Sequence, residues 1–215
     1  MVERLFDYID STVTGINPVG RMLDPSDDLV LGCCCVLLAY FERISRNPEV
    51  VLSSPLLNPT PATDVNRVFR IISRNVLADL RLLSELFYTT QRELIADSGT
   101  IVLNPTFGGS VDIGGADADL IVDGLLIDIK SIAKPGGRFK DIYQLAGYCL
   151  LDYRDEYKIT SVGIYFARQG VLVSWPLDQF FSLLSREKFD LRSSRKQFRK
   201  LLLRISRTDT DVIFD

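Results

Sequence analysis

The dipeptide Asp123-Gly124 constrains this chain more than any other feature. It sits inside "DADLIVDGLLIDIK", residues 117–130, between flanks rich in Val, Ile and Leu that suit strands. A two-residue type I′ turn needs positive φ at both central positions, and Asp-Gly supplies it. Placing the turn at 123–124 dictates a register. Val122 faces Leu125, Ile121 faces Leu126 and Leu120 faces Ile127. Asp119 is then expected opposite Asp128, and Asp117 opposite Lys130.

Side chains alternate between the two faces of a strand. One face collects Ala118, Leu120, Val122, Leu125, Ile127 and Ile129, and is expected to be the core face. The other collects Asp117, Asp119, Ile121, Leu126, Asp128 and Lys130, so its open end is ionic. Directly opposed residues hold their Cβ atoms roughly 4.5–5.5 Å apart, where like charges repel. Two carboxylates that close share a proton or a cation. A hard divalent ion such as Mg²⁺ often takes one or two carboxylates and completes its shell with water and phosphate. The competing reading is a solvated surface, in which Lys130 neutralises Asp117 and, diagonally, Asp119.

Composition narrows the chemistry. The 215 residues, 47% hydrophobic and 25% charged, fit one compact domain or one domain with an elaboration. A net charge of −3 exerts no global pull on nucleic acid. The absence of histidine excludes Ser-His-Asp and Cys-His catalysis and histidine-ligated zinc. Cys33, Cys34 and Cys35 are adjacent and lie, like Cys149, in apolar surroundings, which predicts free buried thiols in a reducing compartment. The apolar run Leu29 to Phe41 is too short to span a bilayer. It is also unlike a signal peptide in position and flanks. A cytoplasmic protein with no membrane partner is therefore expected.

Residues 1–74 read as a helical amino-terminal region packed on the core that follows. Within it, Ser26 is a candidate N-cap, with Asp27 and Asp28 in the first turn and Arg43 and Arg46 in the last. The Pro-rich stretch 53–64 reads as a connector, with Thr63 or Asp64 capping a helix from Val65. Residues 75–99 form an amphipathic helix stopped by Ser98-Gly99. Residues 100–115 suggest a short strand, a turn and a second strand edge. After a Pro-Gly-Gly loop at 135–137, residues 138–153 are helical, with Ile142, Leu145, Ala146, Cys149 and Leu150 inward. A second hairpin turns around Gln169-Gly170, and the tail from Pro176 is helical. The basic segment 186–207 is either a solvated helix face or a track for a phosphate backbone.

Asp119 followed by Asp128-Ile129-Lys130 resembles the motif of the PD-(D/E)xK nuclease superfamily. Gln144-Leu145-Ala146-Gly147-Tyr148 resembles the QxxxY motif of its RecB-type branch. Glu156-Tyr157-Lys158 also fits a bare acid-x-Lys pattern, but it has neither an opposed acid nor a following QxxxY. The resemblance covers roughly residues 75–180. It implies a restriction-endonuclease-like αβββαβ core within 75–215, an α/β fold with a mixed sheet flanked by helices. Ala118 stands where the motif has proline, and the second acid is Asp rather than Glu. An acid from the first core helix is expected to be Glu85 or Glu93.

The resemblance implies a nuclease dependent on Mg²⁺ or Mn²⁺ that hydrolyses phosphodiester bonds, in DNA rather than RNA. Asp119, Asp128 and the Ile129 carbonyl would be the metal ligands. Lys130 would orient water and stabilise developing charge. Gln144 and Tyr148, one helical turn apart, would reach the nucleic-acid backbone or the lysine. Asp117 is a candidate to tune Lys130 or bind a second ion. The alternative is a catalytically inactive nuclease-like fold serving as a nucleic-acid- or protein-binding module. It would use the amino-terminal helices as a surface for a protein partner or a homo-oligomer.

Overall fold

In the computed structural model, Asp123 has φ +46° and Gly124 φ +81°, the two left-handed conformations of the expected turn. The structure describes residues 2–16, 23–46, 69–134, 138–185 and 189–211. The expected connector at 53–64, the cap at Thr63 or Asp64 and the loop at 135–137 lie outside them. The turn joins β2 (Leu120–Val122) to β3 (Leu125–Lys130). The register is the expected one, with Leu120 opposite Ile127, Ile121 opposite Leu126 and Val122 opposite Leu125.

The chain divides into two compact units, Met1–Thr89 and Thr90–Asp215. The division falls within a long helix, α3 (Arg74–Ala96). In the first unit, α1 (Val2–Gly15) and α2 (Pro25–Arg46) precede it. Their core gathers Ile9, Cys33, Cys34, Leu37 and Ile72, all buried. Burial raises the Cys33 and Cys34 thiols above their ordinary pKa. The N-cap of α2 is Asp24 rather than Ser26. Its Oδ1 accepts the Ser26 and Asp27 N–H groups at 2.9 and 3.0 Å. Pro25 takes the first helical position, where its missing N–H is harmless.

The second unit holds a five-stranded mixed sheet in the order β1-β2-β3-β4-β5. β1 (Ile101–Leu103) pairs antiparallel with β2. β3 runs parallel to β4 (Ser161–Phe166), and β4 pairs antiparallel with β5 (Val171–Pro176). The parallel pair requires a crossover, which α4 (Phe139–Leu151) provides. Residues 110–113 form a 3₁₀ turn instead of a second strand edge, and the isolated bridge Thr106–Asp117 with the backbone bonds of Asn104 to Asp119 and Ala118 to Pro105 continues the pairing there.

The crossover changes the expected burial. Leu126 and Ile127 point to opposite faces, yet they are 0% and 1% exposed. The face that bears Asp128 packs against α4, so Ile121, Leu126, Leu145, Cys149, Val162 and Ile164 form one core. The opposite face is covered as well. Tyr165 is buried there, 3.4 Å from the Thr90 hydroxyl. The Gln91 amide donates to the Gly170 carbonyl at 3.4 Å. A central strand with a parallel neighbour is buried on both sides, so the division into one core face and one ionic face does not hold. Ile129, expected in the core, is 37% exposed.

The chain ends in α5 (Leu177–Leu184) and α6 (Leu191–Asp211). Arg195 pins α6 to the sheet domain and is buried. Its Nε donates to the Cys149 carbonyl at 2.8 Å, and its guanidinium reaches Asp155 at 2.8 Å and Asp152 at 3.3 Å. One cation of the basic tail is thus a structural anchor, while Arg192, Lys196 and Lys200 remain exposed along one i, i+4 row. Among the described residues no helix is long and apolar enough to cross a membrane.

Candidate active site

The carboxyl end of β3 and the first turns of α4 bring Asp128, Lys130, Asp141, Gln144 and Tyr148 together. Alternation along β3 places Asp128 and Lys130 on the same face, toward α4. Asp128 is 2% exposed, and the Lys130 ammonium stands 2.7 Å from its Oδ2. At this distance the ammonium is the polar partner of the buried oxygen. Burial pushes the Asp128 carboxyl up from its ordinary value. Lys130 opposes the shift, and the nearby Asp119 and Asp141 carboxylates add to it.

A chain of hydrogen bonds leads away from the ammonium. Lys130 Nζ donates to Gln144 Oε1 at 2.8 Å, and Gln144 Nε2 donates to the Tyr148 hydroxyl at 2.6 Å. Helical spacing puts 144 and 148 on one face. Tyr148 also stacks on Phe107, with ring centroids 5.4 Å apart. Burial raises its hydroxyl above the usual phenol range. Gln144 opposes this, and Asp128, Asp119 and Asp117 contribute to it. Tyr148 therefore keeps its proton and, having accepted from Gln144, can donate it onward.

Asp119 does not sit in a ladder pair with Asp128. The β2–β3 pairing stops at Leu120–Ile127, and residue 119 has left the strand. Its carbonyl accepts the Asn104 N–H at 3.1 Å, and its side-chain Oδ2 accepts the Ile129 N–H at 2.6 Å. The N–H and C=O of one strand residue point to the same edge. The Ile129 carbonyl is thus directed toward the edge occupied by Asp119, while the Lys130 carbonyl accepts from Ala167 on the β4 side. Asp117 bridges to Thr106 instead of opposing Lys130. The ion pairs of Lys130 are with Asp128 and, at 3.8 Å, with Asp141.

Asp141 escaped the reading of the sequence. It is 3% exposed in the first turn of α4, held by Arg138 at 3.0 and 3.2 Å. Its signal was its place three residues before Gln144 and seven before Tyr148, on their helical face. The two acids considered in α3 differ. Glu85 pairs with Arg81 at 2.9 Å, and Glu93 is exposed. Lys158 of the second acid-x-Lys match pairs with Asp155 at the surface, at 3.0 Å.

Asp119, Asp128 and the Ile129 carbonyl lie at one strand end and offer oxygen donors only, and the Asp119 carboxylate is close enough to Asp128 to raise its pKa. Such donors fit a hard divalent cation. Among the described residues no group of three or more Asp, Glu, Cys or His side chains converges. Comparison of the chain with family models, curated proteins and solved structures finds no match. Fold and site define an α/β protein with a five-stranded open mixed sheet and a buried carboxylate–lysine pair at the carboxyl end of its central strand.

Proposed function

We propose that this protein is a metal-dependent nuclease that hydrolyses phosphodiester bonds, in DNA rather than RNA, on a restriction-endonuclease-like core. One observation carries the reading. The Asp128 carboxylate is buried, the Lys130 ammonium stands 2.7 Å from it, and the Asp119 and Asp141 carboxylates lie near enough to raise its pKa. Burying a carboxylate this way costs free energy that a purely structural role could avoid with an apolar residue. The order of α3, β1, β2, β3, α4 and β4 also agrees with the αβββαβ arrangement.

Asp119, Asp128 and the Ile129 carbonyl would hold Mg²⁺ or Mn²⁺. When bound, such an ion lowers the pKa of a water and polarises the phosphate. The protein's own groups do the rest. Lys130 places a positive charge where the phosphate becomes more negative. Gln144 restrains that ammonium through its amide oxygen, and Tyr148 restrains Gln144. The Asp119 contact to Ile129 N–H holds β3 in the orientation that directs the Ile129 carbonyl outward. Asp141, 3.8 Å from Lys130, balances its charge from the helix side.

A cleavage assay tests the proposal. Single- and double-stranded DNA are incubated with Mg²⁺ or Mn²⁺ and wild type, Asp128→Ala or Lys130→Ala. Cleavage by wild type alone supports the reading, and equal activity in all three removes it. A second reading, a nuclease-like binding module without catalysis, draws on the Lys130 contact, which already compensates Asp128. It predicts that calorimetry detects no Mn²⁺ binding.

A further inference from the structure

The outer face of α4 carries two aromatic rings that the core does not use. Phe139 is 80% exposed and Tyr143 is 64% exposed. They stand one helical turn apart, with ring centroids 6.5 Å apart and an interplanar angle of 26°. The two rings thus lie roughly parallel and leave apolar surface facing water, although aromatic side chains are normally a main contributor to burial. The next position of the same row is Gly147. A Cβ there would meet no atom within 4 Å, so packing does not require the glycine. Glycine is the poorest ordinary helix former after proline, and its presence keeps the backbone open beside the rings.

The adjoining row of the helix is Lys140, Gln144 and Tyr148, of which Gln144 receives the Lys130 ammonium. Lys140 is exposed, and the side chain of Arg138 is 45% exposed. The aromatic surface is therefore bordered by Lys140 and by the Arg138–Asp141 ion pair, and it adjoins the row that reaches the candidate site. A partner that offers flat apolar faces on a negatively charged chain matches both features. Unpaired nucleotides are such a partner, because every base has a π-face and every linkage carries a charge. The body of a duplex hides its base faces in the stack and cannot use the rings.

We infer that Phe139 and Tyr143 are a stacking platform for the unpaired bases of single-stranded nucleic acid, whose phosphates pass Lys140 on the way to Asp128 and Lys130. The platform deepens the nuclease reading and rests on it for the direction of the strand. Its binding step can be measured without cleavage. The 215-residue chain is titrated in EDTA against a fluorescent oligo(dT) of about 15 nucleotides, and against a duplex of the same length, by anisotropy. Wild type should prefer the single strand. Phe139→Ala and Tyr143→Ala should each weaken oligo(dT) binding by about tenfold, leave duplex binding unchanged and fold normally, since both rings are exposed. Phe139→Tyr and Tyr143→Phe should retain binding.

Unchanged oligo(dT) affinity in the double alanine variant overturns the platform, as does equal wild-type affinity for single strand and duplex. Cleavage with Mn²⁺ is scored separately. If wild type cuts while the rings prove silent, the platform fails and the nuclease reading stands. If wild type never cuts but the rings hold oligo(dT), the nuclease reading fails and the platform stands.

Discussion

The Lys130 ammonium lies 2.7 Å from Asp128 Oδ2, and the side chains are 16% and 4% exposed. Each charge is the nearest compensation for the other. Lys130→Ala should leave a buried carboxylate among acids and lower the unfolding free energy by about 3 kcal/mol. A divalent cation can replace the lost charge, so Mn²⁺ should raise the melting temperature of Lys130→Ala more than that of wild type. Thermal unfolding with and without Mn²⁺ checks this, and equal shifts in the two proteins contradict it.

Asp119 has two separable duties. Its Oδ2 accepts the Ile129 N–H, a bond to an ionised acceptor that contributes roughly 1–2 kcal/mol. Asp119→Asn keeps an acceptor oxygen and should unfold within about 1 kcal/mol of wild type, yet lose Mn²⁺ binding and cleavage. Asp119→Ala should lose both. Urea denaturation alongside Mn²⁺ calorimetry separates the two, and undiminished Mn²⁺ binding by Asp119→Asn would remove this residue from the ligand set.

Two carboxylates should give the stability profile opposite slopes. Burial holds Asp128 above its ordinary pKa, against the pull of Lys130. Its ionisation therefore opposes folding. This penalty is absent below the unfolded pKa and grows as pH rises through the folded one. Asp155 is lowered overall, because Arg195 and Lys158 outweigh its desolvation. Its contribution is present above the unfolded pKa and lost as pH falls through the folded one. Urea unfolding between about pH 3 and pH 7 should show Asp155→Asn flattening the acid-side loss. Asp128→Asn should remove a decline that sets in as pH rises above the ordinary carboxylate pKa, and an unaltered profile in either variant would refute its assignment.

Gly124 and Gly147 should respond to alanine with opposite signs. Gly124 has φ +81°, and a Cβ there would lie 2.8 Å from the Lys158 carbonyl oxygen. Gly124→Ala should destabilise the second unit by about 2 kcal/mol. At Gly147 the space is open, and Gly147→Ala should stabilise by up to about 1 kcal/mol. Chemical denaturation of both variants tests whether the hairpin register depends on this turn.

Features decided within a few residues were legible in the chain. Asp123-Gly124 demanded a turn, and its neighbours set the three-pair register. Helical spacing put Gln144 and Tyr148 on one face, and the side chains are hydrogen-bonded. Pro25 carried a start signal that points to Asp24, but Ser26 drew the assignment. The departure of Asp119 from its strand was not legible, because it depends on contacts to Asn104 and Ile129. Arg195 read as one more cation of a basic run. Its burial depends on Asp152 and on a carbonyl 46 residues earlier.

By itself, then, the order of residues determined local geometry: which bonds turn, which side chains alternate, and which recur on one helical face. These are settled by φ/ψ sterics and periodicity. Tertiary structure alone decided which charges lose their water. β3 became central by pairing in parallel with β4 and receiving α4 on the Asp128 face. That packing buried Asp128, turned Lys130 onto it and brought in Asp141. Desolvation is a property of everything that surrounds a group, so the chemistry of this site emerges only when distant segments close over it.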